Sequence, residues 1–260
     1  MTAEKTRAIV IRTVPFGETS SVVTLYCREF GKVRALAKGA WRPKSGFDAA
    51  LDLLSTCQVL VLRKSSGGLD LLTEACLENR FRVGGSYRAF LGGMHVADLL
   101  DALTADADPQ PELFDRAHAT LRELSGLDEP ADHVPALLVA MELALLRLTG
   151  HAPELLACAE CRGPLPRQGR TSFAMLDGGC LCDRCRVGKR AVVSASSAGL
   201  AALRRLAGPD QPRRDFVLPT PVAGELRALM TTYLSHLLGR PPRVVRLLQP
   251  RRGRTRFHGE

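Results

Sequence analysis

Two pairs of cysteines constrain the fold of this chain more than any other feature of its sequence. Cys158 and Cys161 form the first Cys-x-x-Cys pair, and Cys182 and Cys185 form the second. A tight turn of this spacing directs two sulfur atoms at one point, and two such turns build a tetrahedral four-thiolate cage for zinc. The spacing therefore predicts one zinc ion held by these four residues.

The predicted zinc site is expected to be structural. Four thiolates fill the coordination sphere of zinc and leave no open position for water or a substrate. Such sites commonly hold a fold together. Cys180 is a fifth thiol beside the second pair, but only Cys182 has the required spacing to Cys185, so Cys180 is not included among the ligands.

Length and composition indicate a cytoplasmic protein with a substantial core. The chain has 260 residues, of which 45% are hydrophobic, and this length fits one large domain or two modest ones. Residues 1–12 alternate polar and apolar side chains and lack the apolar run of a signal peptide. No segment approaches the roughly 18 consecutive apolar residues of a membrane span. The cysteines outside the predicted zinc site need no disulfide partner in a reducing cytosol.

The net charge of +9 predicts a polyanionic partner and favours nucleic acid. Residues 1–69 carry eleven basic and five acidic residues, a net of +6, and residues 240–260 carry seven arginines against one glutamate, also +6. The middle of the chain must therefore be slightly acidic. The positive charge is concentrated at the two ends of the sequence.

The N-terminal part of the chain is predicted to form a small β-barrel. Five short segments are predicted to be strands, because they alternate polar and apolar residues or, at residues 20–27, are rich in β-branched ones. They are separated by glycine turns and span residues 5–14, 20–27, 33–39, 55–63 and 69–74. Five short strands with a long irregular piece before the fourth are typical of the partly open OB-fold barrel rather than of a sandwich. Phe16 and Tyr26 are assigned to the core.

From about residue 79 the apolar residues recur every three or four positions, which predicts helices. The predicted helices span residues 81–103, 113–124, 134–148, 196–206 and 222–238. The predicted fold class is therefore α+β. An OB-fold domain of residues 1–79 precedes a helical domain of residues 80–250 that contains the zinc element 158–185, and a basic tail of residues 251–260 follows.

The sequence offers no case for an enzyme. The phosphate-binding pattern GxxxxGK[ST] is absent, and none of the six histidines lies in an H-x-E or HExxH arrangement that would activate a zinc-bound water. The predicted zinc site has no open position either. We therefore expect a binding protein.

The candidate nucleic-acid contacts are basic residues on or beside the predicted barrel strands. They are Lys5, Arg7, Arg12, Arg34, Lys38, Arg42 and Lys44. Such a groove can follow a phosphate backbone and release counterions from it. Trp41 lies between Lys38 and Arg42 in the sequence. It is predicted either to stack on a base or to anchor its loop against the barrel. The arginine-rich tail is either a second phosphate contact or a solvated end.

Two stretches of the sequence resemble a known family. The segments AIVIRTVPFGETSSVVTLY and FGKVRALAKGAWRPKS resemble the N-terminal domain of the bacterial recombination mediators of the RecO family, and CAECRGPL with FAMLDGGCLCDRC is similar to the family's zinc-binding element. The resemblance transfers a DNA-binding role to Arg34, Lys38, Arg42 and Lys44, and a zinc-binding role to the four cysteines. Trp41 departs from the pattern, since relatives often have a basic residue there.

The resemblance implies a non-enzymatic role in recombinational DNA repair. Family members bind single- and double-stranded DNA through the OB-fold and anneal complementary strands. Together with RecR they help RecA to replace the single-stranded DNA-binding protein on gapped DNA, in the RecFOR pathway. A member is expected in the cytoplasm, associated with the nucleoid when bound to DNA.

Two other functions stay open on sequence grounds. A zinc-ribbon protein acting in transcription or on RNA would place its contacts around the cysteines, where the sequence offers Arg162, Arg167, Arg170, Arg184 and Arg186. An architectural adaptor would bind partner proteins through the helical domain, with the basic charge incidental.

Overall fold

The computed structural model describes residues 2–42, 45–47, 50–64, 68–166, 169–210, 212, 214–244 and 248. The strands are β1 (Thr2–Phe16), β2 (Ser20–Cys27), β3 (Gly31–Ala37), β4 (Thr56–Arg63), β5 (Asp70–Asn79), β6 (Arg170–Ala174), β7 (Gly179–Leu181) and β8 (Val192–Ser196). The helices are α1 (Tyr87–Leu103), α2 (Pro111–Leu124), α3 (Val134–Leu148), α4 (Ser197–Leu206) and α5 (Thr220–Leu238). Within these residues, no helix is both long and apolar enough to cross a membrane.

The first five strands form the predicted OB-type barrel, in the order β1-β2-β3-β5-β4. All neighbouring strands are antiparallel except β3 and β5, which pair in parallel from Ala35 with Asp70 to Ala37 with Leu72. This short parallel pairing closes the barrel, whereas the sequence predicted a partly open one. The interior is filled by small and β-branched side chains such as Val10, Val23 and Val59.

A β-bulge changes which side chains of β1 face outward. Ala8 and Val10 lie in the barrel interior, but the register with β2 shifts between Val10 and Arg12. After this shift Thr13, not Arg12, lies opposite the interior residue Val23. Because facing residues of an antiparallel pair point to the same side, Arg12 and the alternate residues after it lie on the outer face.

The helices pack directly on the barrel and share a core with it. Ile9 and Tyr26 of the barrel belong to the same buried cluster as the helical residues. The Tyr26 ring stacks on Phe114 of α2 at 6.4 Å between centroids. Helix α3, predicted to be apolar almost all round, is buried along most of its length. The prediction that Tyr26 belongs to the core is confirmed.

A second junction joins the β2–β3 turn to the end of α1. The ammonium of Lys32 is buried and donates hydrogen bonds to the carbonyls of Asp101 and Thr104, each at 2.7 Å. A cation suits this position because the carbonyls at a helix C-terminus carry partial negative charge. Gly31 beside it packs against the backbone of Asp108. The barrel therefore packs against the helical part both at α2 and at the end of α1.

A small antiparallel sheet lies between α3 and α4 and was not predicted from the sequence. Its strand order is β7-β6-β8. Phe173 of β6 is buried against Tyr233 of α5 in an edge-to-face contact of 5.5 Å between ring centroids. The Tyr233 hydroxyl donates to the carbonyl of His151. This sheet connects the cysteine turns to the helical core.

Candidate nucleic-acid interface and metal centre

The outer surface of β1, β2 and β3 is half covered by the helices and half open. The strand register places Ile9, Tyr26 and Lys32 in one row across the three strands, and the helical part of the chain buries this row. The rest of the surface, beyond the bulge in β1, carries no such cover. We call the exposed half the barrel face.

The barrel face is built from three rows of side chains. The strand pairs place Arg12, Thr24 and Arg34 in the first row, and Val14, Val22 and Leu36 in the second. The third row begins with Phe16 opposite Ser20, and Lys38 follows on from Ala37, the partner of Ser21. The face therefore places an aliphatic row between two rows that carry positive charge.

The predicted contacts Arg34 and Lys38 lie on this face. Both side chains are exposed, as the alternation with the interior residues Val33, Ala35 and Ala37 requires. Arg34 lies 3.7 Å from Asp106, but an ion pair between two exposed side chains contributes little. Both cations are therefore accessible to a phosphate backbone.

Trp41 anchors its loop to the barrel, which is one of the two roles predicted from the sequence. Its indole N–H donates to Ser21 Oγ at 2.7 Å, and its backbone N–H donates to the carbonyl of Thr19. The ring nevertheless remains 61% exposed. Trp41 is thus fixed to the β1–β2 hairpin while most of its ring faces solvent, beside the exposed side chain of Arg42.

Lys5 and Arg12 are exposed on β1, and neither forms an ion pair within the described residues. Arg7 has a different environment, at the junction with α2. Its guanidinium lies 2.9 Å from Glu78, 3.3 Å from the His118 ring nitrogen and 5.7 Å from the centre of the Phe114 ring. Lys44 lies outside the described residues. Arg7 is therefore held by three side chains at this junction, and it is less exposed than Lys5 and Arg12.

A cleft of about 630 Å³ runs beside this junction, between the end of β5 and α2. Its lining combines apolar side chains such as Leu121 with the basic residues Arg80, Arg82 and Arg122. Burial, followed by the charges of Arg7 and Arg122, lowers the pKa of His118 in its wall. Arg80 is paired with Asp52 at 3.3 Å. The cleft is therefore part of the contact between barrel and helices.

The position of Phe16 differs from the one predicted from the sequence. It was predicted to lie in the core, but its side chain is 56% exposed. The reason is the bulge before Arg12, which sets the orientation of the last residues of β1. Regular alternation cannot reveal a bulge, so the sequence carried no direct signal for this placement.

The four predicted cysteines come together in one cluster. Their sulfur atoms all lie within 4.8 Å of one another, and the sulfurs of Cys161 and Cys182 are 3.8 Å apart. With Zn–S bonds of about 2.3 Å, the sulfurs of a tetrahedral site would lie roughly 3.8 Å apart. The donor set and its spacing therefore fit zinc.

The two cysteine turns have the same hydrogen-bond pattern. The N–H of Arg162 donates to the carbonyl of Cys158, and the N–H of Arg186 donates to the carbonyl of Cys182. Burial raises the pKa of Cys158, but N–H donors from Cys161, Cys182 and Glu160 outweigh this and lower it to about 6. Backbone donors of this kind stabilise the thiolate that a metal requires.

Cys180 lies outside the four-sulfur cluster. Its side chain belongs to the core shared with the helices, and burial raises its pKa to about 11. Gly179 beside it packs so closely on Glu154 that an added Cβ would lie 2.4 Å from the Glu154 carbonyl oxygen. The choice of Cys182 over Cys180 from spacing alone agrees with this geometry.

Comparisons with known proteins cover nearly the whole chain. Residues 1–81 match the family described as "Recombination protein O N terminal", and residues 85–246 match "Recombination protein O C terminal". The DNA repair protein RecO of Rhodopirellula baltica is 37% identical over 262 residues, which covers 91% of this chain and 96% of that protein. The DNA repair protein RecO of Anaeromyxobacter dehalogenans is 35% identical over 246 residues, with coverage of 91% and 92%.

Proposed function

Because the chain belongs to the recombination protein O family of DNA repair proteins, we propose that it is a non-enzymatic recombination mediator that binds DNA on its barrel face. The observation that carries this proposal is the exposed set Arg12, Arg34 and Lys38 on one side of an OB-type barrel. OB-folds use this surface for oligonucleotides. Trp41 and Arg42 extend this contact region, and Lys5 is proposed as a separate contact, since Arg7 and the buried Ile9 lie between it and Arg12 on β1.

We propose that the barrel face promotes the annealing of complementary strands. Each phosphate backbone repels the other, and a basic surface that neutralises both reduces this repulsion. Contacts to phosphates do not depend on sequence, so the bases remain available for pairing. The face also accounts for binding to both single- and double-stranded DNA, since both present phosphates.

The proposed partners follow from membership of the family. We propose that the protein acts with RecR to load RecA onto DNA covered by the single-stranded DNA-binding protein. The helical part and the cleft beside α2 provide surface for such contacts, while the barrel face remains for DNA. We propose that residues 1–79 form the domain that binds nucleic acid.

The cysteine cluster is proposed to hold one structural zinc ion. Bound zinc would supply cross-linking of the two cysteine turns, and it would have no open position for chemistry. The turns are connected through β6 to the helical core, where Phe173 packs on Tyr233. Zinc would therefore stabilise the helical part rather than contact DNA.

The test of DNA binding is a charge reversal on the barrel face. Both side chains of the Arg34→Glu/Lys38→Glu variant are exposed, so the fold should be unaffected. At about 0.1 M salt, where charges are screened beyond about 10 Å, we expect the variant to bind a labelled single strand at least about tenfold more weakly. Fluorescence anisotropy measures the affinity, and circular dichroism checks the fold.

The matched control is Arg184→Glu/Arg186→Glu, which makes the same charge change at two exposed positions of the zinc element. We expect this control to bind DNA nearly as well as the wild type. If the control loses binding and the barrel variant keeps it, the proposal is wrong. That result would support the zinc-ribbon alternative instead.

A further inference from the structure

We propose that Phe16, with the aliphatic row beside it, forms a base-stacking platform that makes the barrel face prefer single-stranded nucleic acid over duplex. This inference rests on the proposed DNA-binding function and adds the determinant of strand preference. Phe16 is uncharged, so it does not contribute to the positive charge on which the proposed DNA binding depends.

Phe16 is exposed at a position where the fold does not need it. Its side chain is 56% exposed, and neighbouring Val14 on the same face of β1 is 40% exposed. Neither residue belongs to a buried cluster of the described structure. An exposed aromatic ring adjoining further apolar side chains is characteristic of a binding surface.

The ring lies within reach of the phosphate-binding cations. In the register Phe16 faces Ser20 of β2, and Lys38 lies on the far side of that strand. Two strand spacings of about 4.8 Å separate the backbones of Phe16 and Lys38. Arg12 lies four residues before Phe16 on the same strand and face, about 13 Å away. A single DNA strand whose phosphates contact Arg12 and Lys38 can place its bases on the apolar surface between these two cations.

Trp41 supplies a second exposed ring at the same end of the barrel. Its N–H bond to Ser21 fixes one edge of the indole, and 61% of the side chain stays exposed. Ser21 is next to Ser20, the strand partner of Phe16, but its side chain points to the opposite, interior side of β2, as Val23 does. Two exposed rings thus adjoin the same short hairpin.

Stacking distinguishes single strands from duplex because only a single strand has free base faces. In a duplex the faces of the bases are covered by their neighbours, and protein side chains contact phosphates and groove edges. A base stacked on an aromatic side chain contributes about 1–3 kcal/mol. The cations would therefore attract both single-stranded and duplex DNA, while Phe16 would favour the single strand.

The experiment compares two ligands and three variants of the full-length protein. The ligands are a mixed-sequence single strand and a duplex of the same length, at one salt concentration. Phe16→Ala removes the ring, Phe16→Tyr keeps a ring, and Tyr87→Ala removes an equally exposed ring from the start of α1. Fluorescence anisotropy gives the dissociation constant of each pair.

We expect Phe16→Ala to bind the single strand about tenfold more weakly, which corresponds to about 1.4 kcal/mol, and to bind duplex within twofold of the wild type. Phe16→Tyr and Tyr87→Ala should keep both affinities within about twofold. Equal losses for both ligands, or no loss for either, would overturn the platform. These outcomes are distinct from a failure of the proposed function, in which Arg34→Glu/Lys38→Glu would bind single-stranded DNA as tightly as the wild type.

Discussion

Glu142 of α3 is a buried carboxylate that holds three helices together. It is fully buried, His95 of α1 lies 2.7 Å from one of its oxygens, and the guanidinium of Arg227 of α5 donates to both of them. Burial raises the pKa of Glu142, but the charge of Arg227 and the contact with His95 outweigh burial and lower the pKa below its usual value. The carboxylate is therefore charged and paired inside the helical core.

We predict that Glu142→Gln lowers the free energy of unfolding by about 3–5 kcal/mol at neutral pH, because it leaves Arg227 without a charge partner in a buried site. Urea unfolding followed by circular dichroism measures this change. The control is Glu112→Gln, which removes the partner of Arg147 at an exposed position and should cost less than about 1 kcal/mol. Equal losses for the two variants would contradict the assigned role.

The contribution of Glu142 should depend on pH. Its pKa in the folded protein lies below that in the unfolded chain, about 4.3. The stabilisation is therefore present above the unfolded pKa and is lost as the pH falls through the folded pKa. The difference in stability between the wild type and Glu142→Gln should shrink below about pH 4.

Single residues differ in how well the sequence predicts their place. The cysteine cluster was predictable, because the two Cys-x-x-Cys spacings determine the local geometry of its four members. Phe16 was not, because a bulge in β1 sets its orientation. Arg7 could not be separated from the other cations either, since its contacts with Glu78 and Phe114 join residues far apart in sequence.

At the scale of elements, two glycines with the same backbone conformation have different surroundings. Gly17 has a φ of +64°, and an added Cβ would meet nothing within 4 Å. Gly31 has a φ of +67°, and an added Cβ would lie 2.1 Å from the carbonyl oxygen of Asp108. Gly31 is therefore required both by its turn and by the contact with the helical part.

We predict that Gly17→Ala lowers stability by about 1–2 kcal/mol, the cost of a left-handed alanine. Gly31→Ala carries the same cost, and we expect a further loss of about 1–3 kcal/mol from overpacking at the junction. Chemical unfolding of the two variants isolates the second effect. Equal stability of the two would mean that the β2–β3 turn does not pack tightly on residues 101–108.

The cysteine cluster is an element whose loss should affect stability rather than DNA binding. We predict that Cys158→Ser reduces bound zinc and lowers the unfolding free energy by at least about 2 kcal/mol, a fall in Tm of about 4–8 °C. Single-strand affinity should stay within about twofold. Cys76→Ser, at an exposed cysteine of β5, is the control. A variant that keeps its stability but loses DNA binding would contradict a structural role.

The strands of the barrel and the helices were predictable to within a few residues at most boundaries, since their apolar periods differ clearly. Ser196 caps α4 through a hydrogen bond from the N–H of Gly199, as its position before the helix predicts. The sheet β6–β8 was missed. Its strands have at most five residues, too few to show a period, and they form because they pair with one another.

At the scale of the whole molecule, the barrel and the helices do not have separate cores. Ile9, Tyr26 and Leu54 belong to the same buried cluster as α1, α2 and α3. A sequence pattern shows that a side chain is apolar but not which element covers it. The predicted division after residue 79 therefore describes the order of the elements, while the packing joins the two parts.

The packing of the whole molecule determines which of the basic residues are exposed to solvent. Arg7, Arg28 and Lys32 count toward the basic N-terminal segment, but each of them contacts a group of the helical part. Lys5, Arg12, Arg34, Lys38 and Arg42 remain exposed. The sequence predicted a basic barrel, and the structure divides its cations into those that hold the molecule together and those that face solvent.

We propose that the exposed cations of the barrel face bind phosphates, and that the arginines beside the cysteine cluster do not. The most direct test is the salt dependence of single-strand binding. Removal of one cation that neutralises a phosphate reduces the slope of log K against log salt by about 0.7 for single strands. We predict that Arg34→Ala/Lys38→Ala reduces the slope by about 1.4, whereas Arg184→Ala/Arg186→Ala leaves it unchanged. The opposite pattern would contradict the claim.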